Sequence, residues 1–96
     1  MILDDLPTPC LLIEKKRLEA NLERMQAKAA VQQVALRPHI KTHKSVAIAR
    51  RQRALGAQGI TVAKPGEAEV FAEAGFTDVR LAYPTVGEEK HGRLLR

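Results

Sequence analysis

LGAQGITVA, at residues 55–63, and AGFTDVRLA, at residues 74–82, follow one pattern, and this repeat decides the fold class. Each copy has a glycine that ends a helix, a short turn and a strand that ends in alanine, and the two copies are offset by 19 residues. The intervening residues predict a helix, because Pro65 suits a first helical turn and Gly75 a helix end. Strands that alternate with helices at this spacing predict a parallel α/β sheet with right-handed crossovers.

The residues before and after the repeat continue the alternation. VALRPHIK, at residues 34–41, predicts a strand with one apolar face, which Pro38 should shorten or distort because proline cannot donate to a sheet ladder. A helix should then begin at Ser45 and end at Gly56. Three more elements are expected: a strand in CLLIE at 10–14, an amphipathic helix at 15–32 with Leu18, Leu22, Met25 and Ala29 on its apolar face, and the opening turns of a helix at 88–96.

Composition narrows the classes of protein. The chain has 96 residues, a net charge of +5 and no apolar run of the roughly 18 residues that a membrane span needs. The single cysteine, Cys10, cannot form an internal disulfide, so we expect a cytoplasmic protein in which Cys10 is buried as a small apolar residue. The positive charge leaves a small nucleic-acid-binding module open as an alternative. No aromatic residue lies beside the basic clusters, however, and the arginine run at 50–53 is expected simply to face water.

The carboxyl ends of parallel strands meet at one edge of a sheet, where ligands of α/β proteins bind. Lys41, Lys64 and Tyr83 all stand at or just after strand ends, so we expect them on one rim. Tyr83 could border a pocket there or pack against its neighbours, and we favour packing. A lysine flanked by cations at such a place could react with an aldehyde, or could simply be solvated. His39 and His43 could also be considered as a metal pair, but a zinc site needs three or four ligands.

The segments RPHIKTHK, GITVAKPGEAEVFAEAGF and VRLAYPTVG, together with LPTPCLLIEKKRLEANLERMQ, resemble the amino-terminal part of D-threonine aldolases and eukaryotic-type D-serine dehydratases. The resemblance covers nearly the whole chain. It implies a partial (β/α)8 barrel of the alanine racemase N-terminal type, cut after about three strand-helix units, with residues 1–96 as the amino-terminal portion of the barrel domain. The rest of the barrel and a carboxy-terminal β-domain are then expected beyond Arg96.

The resemblance also implies a chemistry. Lys41, the first lysine of KTHK, is expected to form a Schiff base with pyridoxal 5'-phosphate, and His39, Thr42 and His43 are expected to border the cofactor. The implied activity is that of a lyase acting on D-β-hydroxy amino acids, with a divalent metal whose ligands lie outside this chain and with no metal ligand among these residues. The complete protein is expected to form a homodimer, with no membrane or nucleic-acid partner, and these residues alone should be inactive.

Two questions stay open at the level of the sequence. A non-catalytic pyridoxal-phosphate-binding protein and an amino acid racemase share the same barrel family and are alternatives to the lyase. Arg37 either contributes to a positive rim that favours phosphate and carboxylate, or pairs with an acidic residue elsewhere in the barrel.

Overall fold

The computed structural model describes residues 2–96, in which helices and short strands alternate as the sequence predicts. A single 3-10 turn, Leu3–Asp5, precedes the first helix. The elements are α1 at Lys15–Val31, α2 at Val46–Leu55, β1 at Ile60–Val62, α3 at Pro65–Glu73, β2 at Val79–Leu81 and α4 at Glu88–Leu94. No helix within residues 2–96 has the length and apolar character needed to cross a membrane.

The two strands form a parallel pair whose register reproduces the sequence repeat. Ile60 lies opposite Val79 and Val62 opposite Leu81, so each residue pairs with the one 19 positions later. The Ile60 amide donates to the Asp78 carbonyl over 3.0 Å, and the Ala82 amide donates to the Val62 carbonyl over 3.0 Å. The repeat is therefore a structural unit that carries the chain from one strand to the next.

Both helices that precede the strands end in the same way. Gly56 has φ +125° and Gly75 has φ +97°, a region that side chains with a Cβ rarely enter. The next residue in each case bonds back across the turn: Ala57 N–H donates to Gln52 and Phe76 N–H to Phe71. This is the Schellman arrangement, and it lets each helix reverse directly into its strand.

The segment at 36–41 runs beside β1 without forming a regular strand. The Ile40 amide donates to the Thr61 carbonyl over 2.9 Å, the Thr61 amide donates to the Pro38 carbonyl over 2.8 Å, and His39 and Thr61 form an isolated parallel bridge. The prediction of a strand distorted at Pro38 is confirmed, but the part that bonds beside β1 runs from Leu36 to Ile40 and is shorter than the predicted 34–41. Proline lacks the N–H that would extend the ladder.

The prediction of a strand at 10–14 is wrong for the part of the chain that the structure describes. These residues are extended but bonded to no neighbouring strand, and Leu11 is 97% exposed. Cys10 is exposed rather than buried. Met25, expected on the apolar face of α1, is also exposed, because α2 covers only part of that face.

The core fills the space between the two strands, the segment at 36–41 and helices α2 and α3. The Phe71 and Phe76 rings meet edge to face with their centroids 5.5 Å apart, a favourable aromatic geometry. The buried residues of this cluster are Ile40, Ala49, Ile60, Val62, Phe71 and Phe76.

The arginine run on α2 was expected simply to face water, but its side chains contact neighbouring elements. Arg51 Nε donates to both oxygens of Glu19 on α1, over 2.9 and 2.7 Å. The guanidinium of Arg53 lies 4.4 Å from the centre of the Phe76 ring, and Arg50 donates to the Ala74 carbonyl over 3.1 Å. The run therefore joins α2 to α1 and to the end of α3.

Candidate functional site

Lys41 stands where the irregular strand ends, just beyond its last bond to β1. The Ile40 side chain before it is fully buried, whereas the Lys41 side chain is exposed. The Lys44 amide donates to the Ile40 carbonyl over 2.7 Å, which closes residues 40–44 into a tight turn. A buried anchor on one side and a closed turn on the other fix the backbone of Lys41 while leaving its amine in solvent.

The other predicted cofactor-binding residues lie in or beside this turn. His39 is half-buried, and its Nδ1 accepts a hydrogen bond from the Lys41 amide over 3.2 Å. Thr42 is exposed. The structure thus brings His39, Lys41 and Thr42 together at one edge, and their contact with a cofactor remains a prediction.

His43 has both ring nitrogens engaged within the chain. Nδ1 accepts from the Ser45 amide over 2.9 Å, so Nε2 carries the proton and donates to Gln52 Oε1 over 3.2 Å. Burial lowers the pKa of His43, and the bond to Gln52 opposes this shift only in part. The ring therefore ties the turn to α2, and a role toward a cofactor remains a prediction.

The second lysine of the KTHK element is held by an acidic residue that the sequence analysis did not select. Lys44, whose φ is +51°, lies with Nζ 3.2 Å from Oε2 of Glu67 on α3. Only 9% of the Glu67 side chain is exposed, and its Oε1 accepts from the Ala63 amide over 2.7 Å. The sequence does show a glutamate in the first turn of the predicted helix. Its contact with Lys44 could not be predicted, because the crossover brings the two residues together.

The carboxylate of Glu67 is charged in spite of its burial. Burial by itself raises the pKa of Glu67, but the bond from Ala63 and the charges of Lys44 and Lys64 outweigh it and hold the pKa below its usual value. A charged carboxylate therefore faces Lys44, the residue that closes the turn carrying Lys41.

Arg37 lies at the amino ends of the strands, away from the Lys41 turn. Its Nη1 donates to Asp78 Oδ1 over 2.6 Å, next to Gly59 at the start of β1. This bond lowers the pKa of Asp78 and raises that of Arg37. Of the two alternatives, the structure supports the acidic partner, and Arg37 is not part of a positive rim.

A groove of about 330 Å³ lies between the carboxyl ends of β1 and β2. Tyr83 borders this groove and is 69% exposed, so the expectation that it packs against neighbours is wrong. The lining residues are Ala63, Lys64, Pro65, Tyr83, Pro84, Thr85 and Lys90. A larger groove of about 540 Å³ lies between α3 and α4, but neither the Lys41 turn nor Lys64 lines it.

Within residues 2–96 no three His, Cys, Asp or Glu side chains are grouped so that they could hold a metal ion. The candidate site is therefore described by the Lys41 turn, and the reactivity of Lys41 remains a prediction.

This chain belongs to the alanine racemase N-terminal domain family, whose model matches residues 13–93. Its fold is accordingly part of the barrel of that family, represented here by the parallel strands and their helices. The crystal structure of D-threonine aldolase from Filomicrobium marinum superposes with a TM-score of 0.92 at 44% identity, over 96% of this chain and 25% of that one.

Curated relatives are named for reactions on hydroxylated D-amino acids. D-threo-3-hydroxyaspartate dehydratase of Delftia sp. (strain HT23) is 51% identical over 80% of this chain and 20% of its own length. D-threonine aldolase of Arthrobacter sp. is 48% identical over 86% of this chain and 22% of its own. D-serine dehydratase of Dictyostelium discoideum is 32% identical over 85% and 22%. The chain thus spans about a fifth of the length of these relatives.

Proposed function

We propose that this chain supplies the cofactor-attachment lysine of a pyridoxal-phosphate-dependent lyase that acts on D-β-hydroxy amino acids. The observation that carries the proposal is the placement of Lys41: an exposed amine on a fixed turn at the carboxyl end of a strand, in a family of the alanine racemase type. The names of the aldolase and dehydratase relatives support the choice of substrate class.

The residues present fit such an attachment. Lys41 makes no ion pair with any residue between 2 and 96, whereas Lys44, three positions later, is paired with Glu67. The bound cofactor supplies an electron sink for negative charge at the substrate α carbon.

The remaining chemistry assigned to these residues is simple. A lysine amine condenses with an aldehyde when it is neutral and accessible, and water is released. When it is not bound to the cofactor, the Lys41 amine would be placed to accept or return a proton at the substrate α carbon. His39 holds the Lys41 backbone through its Nδ1, and the turn closed by Lys44 keeps the amine on the rim.

Labelling with pyridoxal phosphate tests the attachment. The chain is incubated with less than one equivalent, reduced with borohydride and mapped by peptide mass spectrometry. We expect the pyridoxyl group on Lys41, its loss in Lys41→Ala, and unchanged labelling in Lys28→Ala, which alters an exposed lysine of α1. A label spread evenly over Lys28, Lys41 and Lys64 would contradict the proposal.

An amino acid racemase is the second candidate, favoured by the family match at residues 13–93. The products formed by the complete protein distinguish a lyase from a racemase. An aldolase converts D-threonine to glycine and acetaldehyde, and a dehydratase converts D-serine to pyruvate and ammonia. A racemase forms only the L-amino acid.

The cytoplasmic location of the protein and the homodimer formed by the complete protein are part of the same proposal.

A further inference from the structure

We infer that Glu67 is a positioning residue that occupies Lys44 and so leaves Lys41 as the reactive amine of the KTHK element. The inference deepens the proposed function, on which it rests. It concerns a choice that the sequence leaves open, since two lysines three residues apart lie in one tight turn and either amine could meet an aldehyde.

The contacts of the two lysines differ sharply. Lys44 Nζ lies 3.2 Å from Glu67 Oε2, and an amine engaged by a carboxylate must leave that contact before it can reach a carbonyl. Lys41 is exposed and forms no ion pair within residues 2–96. The difference in partners thus selects one amine.

Glu67 is fixed so that it can hold this partner. Its Oε1 accepts the Ala63 amide over 2.7 Å at the end of β1, and the side chain is 9% exposed. Oε2 is shielded from solvent and has no hydrogen-bond partner within residues 2–96. Its recorded polar contact there is the ion pair with Lys44 Nζ at 3.2 Å. A buried carboxylate oxygen with so few donors depends on the charge of Lys44.

The same ion pair also connects two strand ends. Glu67 belongs to the crossover that follows β1, whereas Lys44 closes the turn that follows the irregular strand. Lys44 adopts a left-handed conformation, φ +51°, which costs energy for a side chain with a Cβ. The pair with Glu67 therefore joins the turn that carries Lys41 to the first turn of α3.

Glu67→Gln tests the inference, because glutamine keeps an oxygen acceptor for the Ala63 amide and removes the charge. Under limiting pyridoxal phosphate and borohydride, we expect the Lys44 label, normalised to Lys28, to rise roughly five-fold. This factor corresponds to about 1 kcal/mol. The share of label on Lys41 should fall accordingly. Glu69→Gln is the matched control: it removes an ion pair with Arg93 on the same helix and should leave the ratio unchanged.

Each outcome has one meaning. If Lys44 is labelled no more in Glu67→Gln than in the parent chain, the inference is overturned while the proposed function stands. If the label of Lys28 and other lysines rises together with that of Lys44, the substitution has only loosened the fold, and the positioning role is also rejected. If the parent chain carries no excess label on Lys41, the proposed function itself fails. Lys44→Arg retains a cation for Glu67 and should keep the parent rate of Lys41 labelling.

Discussion

At the scale of the residue, close approaches between backbone and side chains determine which residues the amino ends of the strands can tolerate. Gly59 immediately precedes β1, at the point where Arg37 bonds to Asp78. A Cβ at Gly59 would lie 2.5 Å from the Asp78 carbonyl oxygen and 2.6 Å from Arg37 Nη1. The sequence predicts only that this glycine begins a strand at 59–63, because the neighbours that require a glycine come from two other segments.

Gly59→Ala should therefore destabilise the chain by about 1–3 kcal/mol, the usual cost of forced overpacking. Urea unfolding followed by circular dichroism measures the change. Gly92→Ala is the control, since a Cβ there meets nothing within 4 Å and alanine favours a helix. Equal unfolding midpoints for the two variants would refute the close-packing argument.

His43 should make stability depend on pH. Burial lowers its pKa in the folded chain below the value of about 6.5 for an unfolded histidine. The unfolded state then binds more protons, so the contribution of His43 is complete above pH 6.5 and is lost as the pH falls through the folded pKa. His43→Asn keeps an acceptor for the Ser45 amide without titrating.

Urea unfolding at pH 7.5 and pH 5 measures this effect. The parent chain should lose more stability than His43→Asn over this interval, and His91→Asn, an exposed site, should behave like the parent. If the parent chain and His43→Asn lost the same stability between pH 7.5 and pH 5, His43 would not titrate as described.

At the scale of the element, the helices could be predicted closely and the strands less so. Ser45 Oγ accepts the Ile48 amide over 3.2 Å, and α2 begins where a capping serine predicts. Caps and glycine ends are local signals, readable from a few adjacent residues. A strand needs a partner, and for 10–14 no partner lies within the described residues, so a short apolar run alone led to a wrong prediction.

The contact between α1 and α2 offers a test at this scale. Arg51 and Glu19 form an ion pair with two hydrogen bonds, and their side chains are 41% and 28% exposed. A double-mutant cycle with alanine should give a coupling of about 0.5–1 kcal/mol. The matched cycle on Arg17 and Glu14, which are 84% and 57% exposed, should give less than about 0.5 kcal/mol. Couplings of the opposite order would show that the pair does not hold α1 in place.

At the scale of the whole molecule, the chain is flat. Its radius of gyration is 15.8 Å, and its extents are 47, 40 and 21 Å. A compact domain of this length has a radius of about 12.5 Å. The accessible surface is 7470 Å², against roughly 5,500 Å² expected for a folded monomer of this mass. The family could be recognised from ordered motifs, but this shape could not, because it depends on which faces find partners.

The excess surface includes large apolar side chains, so the isolated chain should associate. Sedimentation equilibrium should show an average mass above 10.6 kDa that rises with concentration. Leu11→Ser combined with Val86→Ser, at side chains 97% and 83% exposed, should reduce this rise. Ala30→Ser, at an exposed but small side chain, should not. A constant monomer mass in the parent chain would contradict the prediction.

The in-register pairing of β1 with β2 also bears on how such a chain can lengthen in evolution. One step of 19 residues along the chain equals one step of about 4.8 Å across the sheet. A tandem duplication of residues 56–74 by unequal crossing-over would therefore insert one complete strand and helix with every inward side chain facing the same way. An insertion of 18 or 20 residues at the same place would keep this pairing only if the turns between helix and strand absorbed the difference of one residue.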